Sequence, residues 1–244
     1  MKCELDYFKG CLLGGAVGDA LGYAIEFESI EQILSQYGDK GIMELQFDKA
    51  SGKALISDDT QMTLFTVEGI LWTDFRNRNK GICCFAGCTF YSYQRWLYTQ
   101  THKLADSNYS WILDNEKVDY KSILMGCEGL YHRRAPGNTC LNALAGAKNQ
   151  EFGTIISHIN NSKGCGGVMR SAPVGLYFWN SPEYAFQYGA ESAAITHGHP
   201  SGYLSAGTLS AIVAEIITGK ELIDAVQVAM NILKTHDRHE ECQQ

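Results

Sequence analysis

No run of apolar residues in this chain is long enough to cross a bilayer: Cys11–Gly18 stops at Asp19, and Leu209–Ile217 contains Glu215. Met1–Leu12 has neither the basic start nor the small-residue cleavage site of a secretory signal. Positive charge is scarce too. Lys and Arg total 20 against 27 Asp and Glu, and the net charge of −7 leaves no basic footprint for nucleic acid and disfavours an acidic membrane surface. There is no Cys-x-x-Cys for zinc, and nine cysteines without repeated spacing make a poor disulfide framework. The expected compartment is a reducing cytoplasm. A βαβ rhythm, internal repeats, low-complexity tracts and an interdomain linker are also absent, which points to a single domain.

What is present is helical spacing. Tyr7–Phe27 is apolar all round, with Gly10, Gly14, Gly18 and Gly22 at intervals of four. Four residues return to the same helix face, so these glycines predict a smooth groove for a second helix. Each glycine costs about 1 kcal/mol relative to alanine inside a helix, which asks for a packing reason. Further helices are expected over Gln61–Thr73, Cys83–Thr99, Ser122–Tyr131, Leu141–Ala147, Pro182–Thr196, Tyr203–Thr218 and Leu222–Leu233. Ala105–Tyr120 reads as polar and irregular. Met43–Phe47 and Thr154–Ile159 carry the only strand signals, both weak. The predicted fold is an all-α, compact orthogonal multi-helix bundle over residues 1–234, followed by a frayed polar tail at 235–244.

The polar and glycine-rich joints between helices carry the chemistry. Ser57-Asp58-Asp59-Thr60 sets adjacent carboxylates between hydroxyls at the start of a helix, the oxygen chemistry that a hard cation requires. Asp58 followed by Gln61 also fits a helix-capping pattern. Glu26, after Gly18-Asp19-Ala20-Leu21-Gly22, lies among apolar neighbours that would raise its pKa and suit it to proton transfer, or it is a surface acid at a helix end. Arg133–Thr139 forms a turn through Pro136, Gly137 and Asn138, either a phosphate cradle or simply a turn. Gly164-Cys165-Gly166-Gly167, followed by Met169, allows close backbone approach to a ligand, or a tight structural connection. No Gly-Lys-Ser/Thr ends it, so it is not a P-loop. Thr196-His197-Gly198-His199-Pro200 offers a hydrogen-bonding histidine or loop packing.

In this order and at these separations, the motifs resemble the ADP-ribosylglycohydrolase family, whose members remove ADP-ribose from dinitrogenase reductase or from acceptor side chains. The resemblance runs from about Tyr7 to about Leu233. It implies an all-α fold whose cleft holds ADP-ribose, or an ADP-ribosylated protein, over a pair of Mg²⁺ (or Mn²⁺) ions. By the same resemblance Ser57, Asp58 and Asp59 are metal ligands and Glu26 is the proton acceptor, with Asp58 and Asp59 catalytic alongside it. Gly137, Asn138, Gly164, Cys165, Gly166, Gly167 and Met169 line the diphosphate and ribose, and His197 reaches the ligand from the facing loop. The implied reaction is metal-dependent hydrolysis of the N- or O-glycosidic bond joining ADP-ribose to a side chain. Family members carry a second acidic motif, Asp-x-Asp-Thr or Asp-x-Asp-Ser, further along. No such pattern follows Thr60 here, so the domain is expected to be incomplete at its C-terminus. That departure motivates an alternative, a catalytically impaired ADP-ribose-binding or structural relative.

Overall fold

The computed structural model describes residues 5–102, 112, 119–147 and 151–243. Its α-helices, in chain order, are α1 (Leu5–Tyr23), α2 (Ile30–Tyr37), α3 (Asp58–Lys80), α4 (Phe85–Thr101), α5 (Asn138–Ala145), α6 (Ala172–Tyr177), α7 (Pro182–Ala194), α8 (Pro200–Ile217) and α9 (Leu222–Leu233). No strand occurs among the described residues. The fold is all-α, and no described helix is long and apolar enough to cross a membrane.

Local chemistry explains where the helices start and stop. Ser57 caps α3 by accepting a hydrogen bond from the Asp59 amide at 3.2 Å. The same helix ends at Gly81, whose left-handed φ of 66° lets its N–H reach the Asn77 carbonyl at 3.0 Å. Ser181 and Pro182 open α7, and His199 and Pro200 open α8, a polar cap followed by a ring that fixes φ in each case. Ser29 and Gln32 form a reciprocal capping box on α2, a helix that the spacing argument missed.

Two apolar layers hold the bundle. Met62 and Phe65 of α3 meet Phe90, Tyr93, Trp96 and Leu97 of α4, with Leu141 and Leu144 of α5 closing that layer. Phe186, Ala190 and Ala193 of α7 meet Leu204, Ala206 and Ala211 of α8, with Ala229 and Leu233 of α9 beneath. The second layer is built from small side chains because α7 and α8 lie so close. A Cβ on Gly207 would fall 2.7 Å from the Phe186 carbonyl oxygen, so only glycine fits there.

Several expectations need correction. Among the described residues nothing packs against the α1 glycines: a Cβ at Gly10, Gly14, Gly18 or Gly22 would meet none of their atoms within 4 Å. Leu5 and Leu13 are 67% and 64% exposed, and Ala20 is the only buried residue on α1. Residues 122–131 form two 3₁₀ turns, Leu124–Gly126 and Glu128–Leu130, with Cys127 extended between them at φ −89° and ψ 98°. Gly126 and Gly129 deprive that stretch of helix propensity. Met43–Phe47 and Thr154–Ile159 are irregular, having no neighbouring strand to pair with. Most of Ala105–Tyr120 falls outside the described residues. The 235–243 segment is anchored where fraying was expected. His236 stacks on Phe186 with ring centroids 4.5 Å apart, Glu241 pairs with Lys163 at 2.5 Å, and Glu240–Gln243 closes as a 3₁₀ turn.

Candidate active site

The start of α3 is organised by a residue 38 positions earlier. The Asp19 carboxylate, near the end of α1, accepts hydrogen bonds from the backbone N–H of Ser57 (3.0 Å) and of Thr60 (3.1 Å) and from the Thr60 hydroxyl (2.5 Å). These satisfy amides that a helix N-terminus otherwise leaves bare. The site assignment from sequence did not include Asp19. Its signal was there, an acid inside Gly18-Asp19-Ala20-Leu21-Gly22, but a cap delivered from another helix has no local pattern.

The Asp58–Gln61 capping box does not form. Gln61 points inward, donating to the His132 carbonyl at 2.9 Å and accepting from Trp96 Nε1 at 3.2 Å and Gln100 Nε2 at 3.0 Å. Asp58 instead bridges α3 to the turn before α5. Its N–H donates to the Arg134 carbonyl at 3.1 Å, and its Oδ2 accepts from the Gly137 N–H at 3.1 Å.

Asp59 faces a cavity of about 480 Å³ whose walls include Asp19, Glu26, Ser57 and Thr60 on one side and Cys165 and Met169 on the other. The Thr63 hydroxyl donates to the Asp59 carbonyl at 2.8 Å and lies 3.4 Å from the Met169 carbonyl, where the two sides meet. Three carboxylates, Asp19, Glu26 and Asp59, therefore line one cleft, with Asp58 beside Asp59 at its edge, and their protons show it. Burial, then the charges of Asp59 and Glu26, push Asp58 up to about 7 against the pull of the Gly137 N–H. Loss of water contact, then Asp19 and Glu26, raises Asp59 to about 6. Glu26, in the exposed turn after α1, is also raised, first by partial burial and then by Asp19.

Other sequence-assigned residues occupy neighbouring positions. Gly137 caps α5, and Asn138 lines a second cavity of about 390 Å³ with Asn142, Asn160 and Ser162. Gly164 and Cys165 are exposed, Gly166 is half-buried and Gly167 is buried. A Cβ on Gly167 would lie 2.8 Å from both Ala193 Cβ and the Gly202 carbonyl, so tight packing accounts for that glycine. His197 lies beneath the glycine loop and is 1% exposed. Asn160 stitches this loop to the histidine loop, donating to the Thr196 carbonyl at 2.8 Å and accepting from the amides of Ser162 and Gly198 at 3.0 Å.

The model of the family described as ADP-ribosylglycohydrolase matches residues 3–244. This chain belongs to the ADP-ribosylglycohydrolase family. An uncharacterized protein of Archaeoglobus fulgidus is similar, 26% identical over 234 residues that make up 94% of this chain and 57% of the relative. The chain thus spans little more than half of that relative's length.

The donor set suits the hard cation that the family implies. Ser57, Asp58 and Asp59 present oxygen, and Asp58 and Asp59 are raised first by burial and then by neighbouring carboxylates. Among the described residues no three His, Cys, Asp or Glu side chains are grouped closely enough to chelate an ion by themselves.

Asp19→Ala is expected to cost about 1–2 kcal/mol of stability, the loss of a charged cap, and to reduce activity by loosening Ser57–Thr60. A urea titration beside a rate measurement checks both. Unchanged values would mean that the Asp19 contacts neither stabilise α3 nor order the site.

Proposed function

We propose that this ADP-ribosylglycohydrolase-family domain hydrolyses the N- or O-glycosidic bond between ADP-ribose and a protein side chain. The observation that carries this reading is the gathering of Asp19, Glu26 and Asp59 on one cleft, with Asp58 close enough to feel Asp59 and Glu26, and Cys165 of the glycine loop on the opposite wall. Ser57, Asp58 and Asp59 would hold Mg²⁺ or Mn²⁺, which when bound supplies Lewis acidity for activating water. Glu26 accepts the proton of the attacking water, a task suited to its upward-shifted pKa. The water oxygen bonds to the anomeric carbon of the distal ribose, the bond to the side chain breaks, and the proton passes to the departing nitrogen or oxygen. Backbone at Gly137 and at Gly164–Gly167 borders the diphosphate and ribose.

The test is release of ADP-ribose from ADP-ribosylated arginine and serine substrates, with Mg²⁺ and with EDTA. Metal-dependent release supports the proposal, and no release from either substrate overturns it for this chain. The lack of three converging ligands favours a second reading, a non-catalytic ADP-ribose-binding relative. Calorimetry separates the two: ADP-ribose binding that ignores both Mg²⁺ and replacement of Asp58 and Asp59 selects the second.

A further inference from the structure

Arg170 is fully buried, and no carboxylate pairs with it among the described residues. Its guanidinium stacks 4.1 Å from the centre of the Tyr93 ring and donates to Met62 Sδ at 3.3 Å and Cys140 Sγ at 3.6 Å. Its best partners are the Ser192 carbonyl at 3.1 Å and the Thr196 hydroxyl at 2.7 Å. A buried cation without a counter-ion is costly, so its retention asks for a role.

The Thr196 hydroxyl settles what that role is. A guanidinium can only donate, so Thr196 Oγ1 accepts from Arg170 and keeps its own proton to give away. Two acceptors are within reach: His197 Nδ1 at 2.8 Å and the Ala193 carbonyl at 3.5 Å. The second lone pair of Oγ1 would allow Nδ1–H to donate instead, but that leaves the hydroxyl proton only the 3.5 Å carbonyl; with the proton in the shorter contact both bonds are well made, and Nδ1 is the acceptor. The ring is neutral, because burial and then the Arg170 charge press its pKa down to about 3. A neutral imidazole that accepts at Nδ1 carries its hydrogen on Nε2.

That Nε2–H has no hydrogen-bond partner among the described residues. It faces the underside of the glycine loop, where a Cβ on Gly164 would lie 3.3 Å from Nε2 and one on Gly166 would lie 3.2 Å away. With glycine at both positions, no loop side chain covers that donor edge. We infer that Arg170 and Thr196 are positioning residues that lock His197 as an Nε2–H donor for an oxygen of the ligand held at the glycine loop. The ligand part rests on the ADP-ribose reading above. The tautomer part does not.

The experiment uses the full chain with ¹⁵N-labelled histidine, with the His197 signals assigned against an H197Q control. In ligand-free wild type the ring is expected as the Nε2–H tautomer. Thr196→Val should release that preference and weaken ADP-ribose binding about tenfold, the loss of one well-aimed hydrogen bond. Thr196→Ser should restore both. An Nδ1–H signal in wild type overturns the inference whatever the variants do, as does a T196V tautomer identical to wild type. A shifted tautomer with undiminished affinity overturns the ligand role. Wild type that shows the Nε2–H tautomer but binds no ADP-ribose sinks the functional reading and the ligand role, and leaves the lock standing.

Discussion

Under the proposed hydrolysis, replacing Asp58 and Asp59 together by Asn is expected to reduce ADP-ribose release by at least about a hundredfold, while making the protein in EDTA more stable at neutral and alkaline pH. The activity loss follows from removing charged groups aimed at the reacting centre, where single deletions of such groups cost about 10²–10³ in rate. The stability gain follows from the proton affinities. In the folded protein Asp58 sits at about 7 and Asp59 at about 6, against an ordinary value of 3.8. Each carboxyl holds its proton more tightly folded than unfolded, so the associated stability is complete below about pH 4 and is lost as pH rises through about 6 and then 7. With solvent screening of Asp59 taken into account, the loss is on the order of 4–6 kcal/mol, most of it from Asp58. The Asn pair cannot ionise and should lack that decline. Urea midpoints from pH 4 to pH 8 in EDTA measure it. Parallel profiles for wild type and variant would show that the two carboxyls do not repel as their surroundings demand.

Arg95→Met is expected to give the largest single loss of stability, about 3–5 kcal/mol, because it strands a buried charge. Arg95 and Glu68 are 2% and 4% exposed, and Nη1 meets Oε1 at 2.8 Å. The pair is well supplied with partners. Arg95 also donates to the carbonyls of Tyr120 (2.7 Å) and Ile112 (3.3 Å), lies 4.7 Å over the Trp72 ring, and Glu68 accepts from Ser92 and Ser122. It pins α3 to α4 well away from the cleft, so any activity that survives should keep its substrate preference. Adding Glu68→Gln should recover part of the loss, since an amide needs no counter-charge. Chemical denaturation of both single variants and of the double checks this; a strictly additive double variant would mean that the two groups do not act as a pair.

Much of this organisation could be read from residue order, and the misses share a cause. Leu222–Leu233 was found to the residue, since its apolar spacing and its partners are both local. The Asp58–Asp59 pair was legible because hydroxyls and carboxylates cluster within four positions. What could not be read was where a side chain turns once another segment arrives. Gln61 looked like part of a cap but satisfies Trp96 and Gln100, and Asp19 looked like an interruption in an apolar helix but organises the start of α3. His197 is expected from sequence to reach a ligand from the facing loop; that its ring lies against the underside of the glycine loop could not be read from residue order. The four-residue glycine spacing of α1 predicted a partner that the described residues do not supply.

Asp58 is the only acid of the cleft whose side chain is bonded to the turn before α5, so its charge is felt in two places. An N–H···O bond to a carboxylate is stronger than one to a carboxylic acid. Whatever keeps Asp58 ionised therefore tightens its grip on the Gly137 amide and steadies the first turn of α5. Reciprocity requires the converse: a ligand that orders the Gly137 turn must make Asp58 a better anion by the same free energy. Under the proposed function, occupancy at the carboxylates and occupancy at the Gly137 turn would be coupled equilibria, joined through a single hydrogen bond.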